Sequence, residues 1–120
     1  MAYILIIDDD EDFRRMLNRM LQQEGYTVIE ASNGMVGIEI YQTNQIDLVI
    51  TDIFMPEKEG VQTVTELNEI DPKVKIIALS GGGTQTNFNC LEDMIDLGAQ
   101  KTFEKPFITE DLLAAIKELL

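Results

Sequence analysis

Ile4-Leu5-Ile6-Ile7-Asp8-Asp9-Asp10-Glu11-Asp12 sets four consecutive branched apolar residues directly against five acidic ones. A short apolar run bounded abruptly by charge has the form of a buried strand whose carboxyl end leaves the core. The pattern recurs three times. Leu48-Val49-Ile50-Thr51 stops at Asp52, Lys75-Ile76-Ile77-Ala78-Leu79 at Ser80, and Thr102-Phe103-Glu104 at Lys105-Pro106. If these runs are parallel strands of one sheet, three carboxylates, a hydroxyl and an ammonium converge on one edge.

Between the runs the period changes from that of strands to that of helices. Asp10 can cap a helix with Phe13, Met16, Leu17, Met20 and Leu21 on its apolar face, and Gly25 ends it. Thr27-Val28-Ile29-Glu30-Ala31 forms a further strand, second in chain order, and Asn33-Gly34 opens a segment carrying Val36 and Ile40. Val61, Val64, Leu67 and Ile70 mark a third helix closed by Pro72; Leu91, Met94 and Ile95 mark a fourth after the polar stretch Gly81 to Asn87. Thr109 can cap a last helix with Leu112, Leu113, Ile116, Leu119 and Leu120 inward. Strands alternating with helices predict an α/β chain, a doubly wound five-stranded parallel sheet in three αβα layers. In such open sheets ligands bind beyond the carboxyl ends of the strands, where Asp8, Asp9, Asp52, Ser80 and Lys105 all fall.

At 120 residues the chain fits one domain, residues 1–120, and its 45% hydrophobic content is ordinary for a globular protein. A formal net charge of -13, from 22 acidic and 9 basic residues, opposes binding to a polyphosphate backbone, so no direct nucleic-acid contact is expected. Most of that charge reads as solvated helix faces. Cys90 is the single cysteine, which excludes an intramolecular disulfide or a multi-cysteine metal site and suits a reducing cytoplasm. No apolar run approaches membrane-spanning length, so no membrane partner is expected. The chain has no histidine, which removes histidine-based acid catalysis and any role as a histidine phosphodonor. If phosphate moves here, this chain receives it.

Three ionised carboxylates within a few ångströms repel one another and require a compensating cation. Magnesium takes hard oxygen ligands and commonly joins one or two carboxylates to a phosphate. The expected ligands are Asp9 and Asp52 directly, Asp8 through water, and the main-chain carbonyl of Phe54. The bland alternative for Asp8 and Asp9 is that they favour the positive end of the first helix, a role that suffices for Asp10 to Asp12. Asp52 is placed to act as a nucleophile toward phosphorus, with Lys105 pairing phosphate oxygens and the Ser80 hydroxyl donating a hydrogen bond. Either Ser80 or Lys105 alone would read as an ordinary surface residue; their joint placement argues for chemistry. Gly81, Gly82 and Gly83 lack the spacing of known phosphate-cradling loops and read as a hinge.

Taken in order, Ile6-Ile7-Asp8-Asp9, Thr51-Asp52-Ile53-Phe54-Met55-Pro56 with Gly60, Leu79-Ser80-Gly81, Leu97-Gly98-Ala99 and Lys105-Pro106-Phe107 resemble the receiver domains of two-component response regulators, most closely the single-domain CheY-like type. The resemblance spans essentially the whole chain. It implies the flavodoxin-like strand order 2-1-3-4-5, which CheY itself exemplifies. It further implies a protein that takes a phosphoryl group on Asp52 from a histidine kinase or histidine phosphotransfer protein, uses magnesium, and loses the group by hydrolysis. The acidic pair would be Asp8 and Asp9, the switch hydroxyl Ser80, and the lysine Lys105. A downstream protein would read the face made by the fourth helix, the fifth strand and the last helix, with the chain a monomer or weak dimer. Two positions depart from the pattern. Thr102 stands where receivers often carry an aromatic switch residue, while Phe103 points to the core by strand alternation. The segment from Ser80 to Gly98 is about three residues longer than in CheY, the excess falling in the loop Gly81 to Asn87.

Two other readings compete. Asp8-Asp9-Asp10 has the DxD spacing of haloacid-dehalogenase-like phosphatases, but Asp12 replaces their usual Thr or Val and the later acidic motif is missing. A receiver fold used for docking without phosphorylation is the third, and the intact set Asp8, Asp9, Asp52 and Lys105 opposes it.

Overall fold

The computed structural model describes residues 2–53, 59–80, 98–105 and 107–120. The strands are β1 (Tyr3–Ile7), β2 (Thr27–Ala31), β3 (Leu48–Asp52), β4 (Ile76–Ser80) and β5 (Lys101–Glu104). Helices α1 (Glu11–Gln23), α2 (Gly34–Thr43) and α3 (Glu59–Ile70) follow the first three strands, and a C-terminal helix (Thr109–Leu119) follows β5. The expected fourth helix and the loop Gly81 to Asn87 lie outside the described residues. All strand pairings are parallel and the order is β2-β1-β3-β4-β5. This is the doubly wound flavodoxin-like arrangement, with the order reversing between β1 and β3.

Alternation along the strands builds two cores, one on each face of the sheet. Ile4 and Ile6 of β1, Leu48 and Ile50 of β3, and Ile77 and Leu79 of β4 pack with Leu17 and Leu21 of α1 and with Leu112 and Ile116 of the C-terminal helix. Leu5, Ile7, Val49, Ile76 and Ala78 face the other way, onto Val64 and Leu67 of α3 and the partly buried Ile38 and Ile40 of α2. Every residue of β3 and β4 is buried. These two interior strands carry Asp52 and Ser80 at their ends, so the most completely buried part of the sheet positions the polar groups.

The cap expected at α1 is present, and the turn expected to open α2 supplies a cap as well. Asp10 is the N-cap of α1, its carboxylate accepting from the Phe13 N–H at 3.2 Å, and Asn33 caps α2 through the Val36 N–H at 2.9 Å. Thr109 does not cap the last helix. Ile108 holds the cap position in an extended conformation with no side-chain cap bond, so Thr109 already lies within the helix; Glu110 and Asp111 place negative charge in the first turn instead.

Met16 is also misplaced by the expected periodicity: it is 54% exposed. At about 100° per residue it falls a full step behind Leu17, on the flank of a face centred between Leu17 and Leu21. Val36, Val61, Ile70 and Leu120 are likewise exposed at the margins of their helices, although Phe13, Met20, Leu113 and Leu119 do pack against the core. Leu17→Ala should therefore cost about 3 kcal/mol of stability in urea denaturation, the usual scale for emptying a fully buried leucine site. Met16→Ala should change it by less than about 0.5 kcal/mol.

Candidate functional site

Beyond Ile7 the chain leaves the sheet by one further ladder bond, from the Asp8 N–H to the Ala31 carbonyl at 3.1 Å. Asp8 then turns back on itself: its Oδ1 accepts from the Asp10 N–H at 2.9 Å, which links the acidic pair to the start of α1. On the neighbouring strand Asp52 is the last residue of β3, paired with Leu79, and the Ile53 N–H continues to the Leu79 carbonyl at 2.9 Å. The Lys105 N–H donates to the Ser80 carbonyl at 2.7 Å, fixing the exit of β5 against the end of β4. Asp8, Asp52 and Ser80 are 1%, 6% and 5% exposed; Asp9 is open to solvent.

The side chains converge as the parallel sheet requires. Carboxylate oxygens of Asp8, Asp9 and Asp52 lie within 4.8 Å of one another. The Lys105 ammonium reaches between two of them, 3.0 Å from Asp8 Oδ2 and 3.5 Å from Asp52 Oδ2. It also lies 3.8 Å from the centre of the Phe13 ring, a cation–π contact on its apolar side. Phe13 meets Phe107 edge-on at 6.2 Å, and Phe107 meets Phe103 at 6.1 Å, so a row of aromatic rings supports the lysine from below. Three carboxylates and one ammonium leave a net deficit of positive charge, and hard, closely spaced oxygens suit a divalent cation. The cluster can hold a metal ion.

Gly60 lets α3 begin close against this edge. A Cβ there would lie 2.4 Å from Ile53 Cα and 2.6 Å from the Asp52 carbonyl oxygen, both backbone atoms that cannot yield as a flexible side chain does. Of the residues named from sequence, the structure brings together Asp8, Asp9, Asp52 and Lys105, and puts Ser80 at the adjoining strand end. Phe54 lies outside the described residues.

A family model for the response regulator receiver domain matches residues 4–117. The chain belongs to the response regulator receiver domain family. Chemotaxis protein CheY of Bacillus subtilis is 37% identical over 118 residues, covering 98% of this chain and 96% of that protein. Sporulation initiation phosphotransferase F of the same organism is 30% identical over 117 residues, covering 98% and 92%. Among solved structures, the response regulator TrrA of Thermotoga maritima, in complex with Mg(2+)-BeF, superposes with a TM-score of 0.87 at 31% identity and covers both chains fully. The receiver is a phosphoacceptor of two-component signalling, and the phosphatase alternative is not favoured.

Within the receiver, Phe103 packs against the core on the α1 side. Thr102, paired with Ala78, occupies the opposite face of β5, as alternation predicts. Sequence reasoning missed a polar assembly behind the acidic pair. Arg14 donates from Nη1 to the Asp8 main-chain carbonyl at 2.7 Å and from Nε to Glu30 Oε1 at 2.8 Å. Asn18 completes Glu30, donating to Oε2 at 2.6 Å, and Gln22 donates to Asn18 Oδ1 at 2.7 Å. The signal that could have found it is Glu30 itself, a charge set inside the otherwise apolar Thr27-Val28-Ile29-Glu30-Ala31.

Burial alone would raise the Glu30 pKa, but the hydrogen bonds from Asn18 and Arg14, with the positive charges of Arg14 and Arg15, outweigh it and hold the carboxyl below its ordinary value of 4.5. A depressed folded-state pKa contributes stability that is complete above the unfolded value and is lost as pH falls through the folded one. Wild-type stability should therefore fall more steeply than that of Glu30→Gln as pH drops below the ordinary carboxyl value of 4.5, measured by urea denaturation at each pH, and equal slopes would show that the carboxyl gains nothing from its partners.

Proposed function

We propose that Asp52 is the residue of this receiver that takes the phosphoryl group, delivered from a phosphohistidine on a histidine kinase or histidine phosphotransfer protein. The observation that carries the reading is the placement of the Lys105 ammonium between Asp8 and Asp52, inside an acidic trio whose oxygens lie within 4.8 Å. An Asp52 carboxylate oxygen attacks phosphorus, the bond from phosphorus to the donor's ring nitrogen breaks, and its electron pair stays on that nitrogen. The product is an acyl phosphate. Lys105 already stands beside Asp52, so it can pair with the added oxygens without a large movement, and the Ser80 hydroxyl at the neighbouring strand end can donate to them. Direct ligation of magnesium by Asp9, Asp52 and the Phe54 carbonyl, with Asp8 acting through water, would supply further neutralisation of the phosphoryl charge. The Mg(2+)-BeF complex of TrrA supports that choice of ion.

Residues 1–120 act in this reading as one receiver unit that accepts and releases phosphate on itself and turns over no separate substrate. Phosphorylation replaces one carboxylate with a group of greater charge and more acceptor oxygens. The shift would be read by a downstream protein on the face that includes β5 and the C-terminal helix. A complete inversion of a one-in-a-hundred equilibrium needs roughly 5.5 kcal/mol, more than one or two charge-assisted hydrogen bonds provide, so partner binding completes the change. Association beyond a monomer or weak dimer is not part of the proposal, since Leu112, Ala115 and Ile116 of the last helix are occupied in the core. Among the described residues no helix is long and apolar enough to cross a membrane. A cytoplasmic location belongs to the same proposal, because a lone cysteine closes no disulfide within the chain that an oxidising compartment would serve.

Incubation with acetyl phosphate and magnesium should add one phosphoryl group, seen by intact-protein mass spectrometry, and Asp52→Asn or chelation of the metal should abolish it. Continued release of phosphate from phosphomonoesters, lost in Asp8→Asn, would instead establish the phosphatase reading. Lys105→Met should lower stability at neutral pH by about 2 kcal/mol without magnesium, because two buried carboxylates lose their shared cation, and magnesium should recover much of that loss.

A further inference from the structure

Asp9 is the exposed member of the acidic trio, with no hydrogen bond donated to its carboxylate among the described residues, yet its backbone is held on both sides. Three successive peptide planes are tied down. The plane entering Asp8 is fixed by its N–H on the Ala31 carbonyl, and the plane leaving Asp9 by the Asp10 N–H on Asp8 Oδ1. The plane between Asp8 and Asp9 is fixed by Arg14, whose Nη1 holds the Asp8 carbonyl at 2.7 Å. Because the peptide unit is rigid, orienting these planes sets the direction in which the Asp9 side chain leaves the backbone.

We propose that Arg14 is a positioning residue for the metal centre, clamping the Asp8–Asp9 peptide so that the Asp9 carboxylate is presented to the cation, with Glu30 holding the guanidinium in place. The inference rests on the reading of the acidic trio as a magnesium site. Glu30 binds Nε at 2.8 Å and is itself held by Asn18, so the guanidinium is anchored to β2 on one side and to the end of β1 on the other. The guanidinium also faces a carbonyl and not a carboxylate of the trio. Its planar fork makes the two contacts at once, which the single nitrogen of lysine cannot do with the same geometry.

The sign of the effect separates this role from simple electrostatics. Deleting a positive charge near a cation site should tighten metal binding through space; losing the clamp should weaken it. Titration of the intact protein with magnesium chloride, followed by calorimetry and by the Asp9 and Asp10 amide resonances, reads the difference directly. Arg14→Ala and Arg14→Lys should both bind magnesium about 10- to 100-fold more weakly than wild type, the range typical of lost support behind a ligand. Arg15→Ala makes the same charge change on an exposed side chain paired with Glu11, and should stay within about twofold of wild type. Thermal unfolding checks that each variant is folded, and Arg14→Lys carries the test if Arg14→Ala is not. Unchanged or tighter binding in a folded Arg14 variant overturns the proposal. A wild-type protein that binds no magnesium overturns instead the reading of the trio on which it rests.

Discussion

Two carboxylates at the ends of neighbouring strands, Asp8 just beyond β1 and Asp52 closing β3, are buried side by side with one ammonium between them, and the rest of the site answers the electrostatic demand they create. Ionised carboxylates this close are tolerable only where positive charge is supplied in place. Lys105 supplies part of it at 3.0 and 3.5 Å, its ammonium lying over the Phe13 ring, which is backed in turn by Phe107 and Phe103. One ammonium does not balance three carboxylates. The remaining deficit is what makes the edge receptive to a divalent cation.

The backbone makes that crowding sustainable. Asp52 is still within β3 and Ser80 within β4, both strands buried along their whole length, so the polar groups are held by the sheet ladder and not by mobile loops. Gly60 allows the start of α3 to close on the carbonyl of Asp52 where any side chain would collide. Behind β1, the Arg14, Glu30 and Asn18 assembly fills a polar gap between α1 and β2 and reaches the Asp8 carbonyl. Function and stability meet here, since the charged groups that crowd the site are held by bonds that also join helix to sheet.

Much of this was legible in the chain. Each apolar run that ends in a polar residue proved to be a strand, and a parallel sheet necessarily delivers those endings to one edge. The alternation within Ile4-Leu5-Ile6-Ile7, invisible as composition, became two separate cores because successive side chains leave a strand on opposite faces. Helix faces were less sharply determined. Met16 and Leu17 are both apolar, and only the way α1 lies against the sheet, with its face centred between Leu17 and Leu21, selects Leu17 for burial. Thr109 looked like a cap by type, but the cap position belongs to whichever residue is extended where the chain enters the helix, and that is Ile108.

By itself the sequence determined the fold class, the strand endings and the inventory of charged groups, because periodicity and abrupt polarity changes are local properties of a chain. Tertiary structure alone decided which of those groups touch. Lys105 lies 97 residues from Asp8 and 53 from Asp52, and Glu30 lies 16 from Arg14, so no local pattern encodes their distances. They are set by the strand order and by the register in which β1, β3, β4 and β5 align, where the packing of two cores selects one arrangement among those the hydrogen-bond ladder would allow.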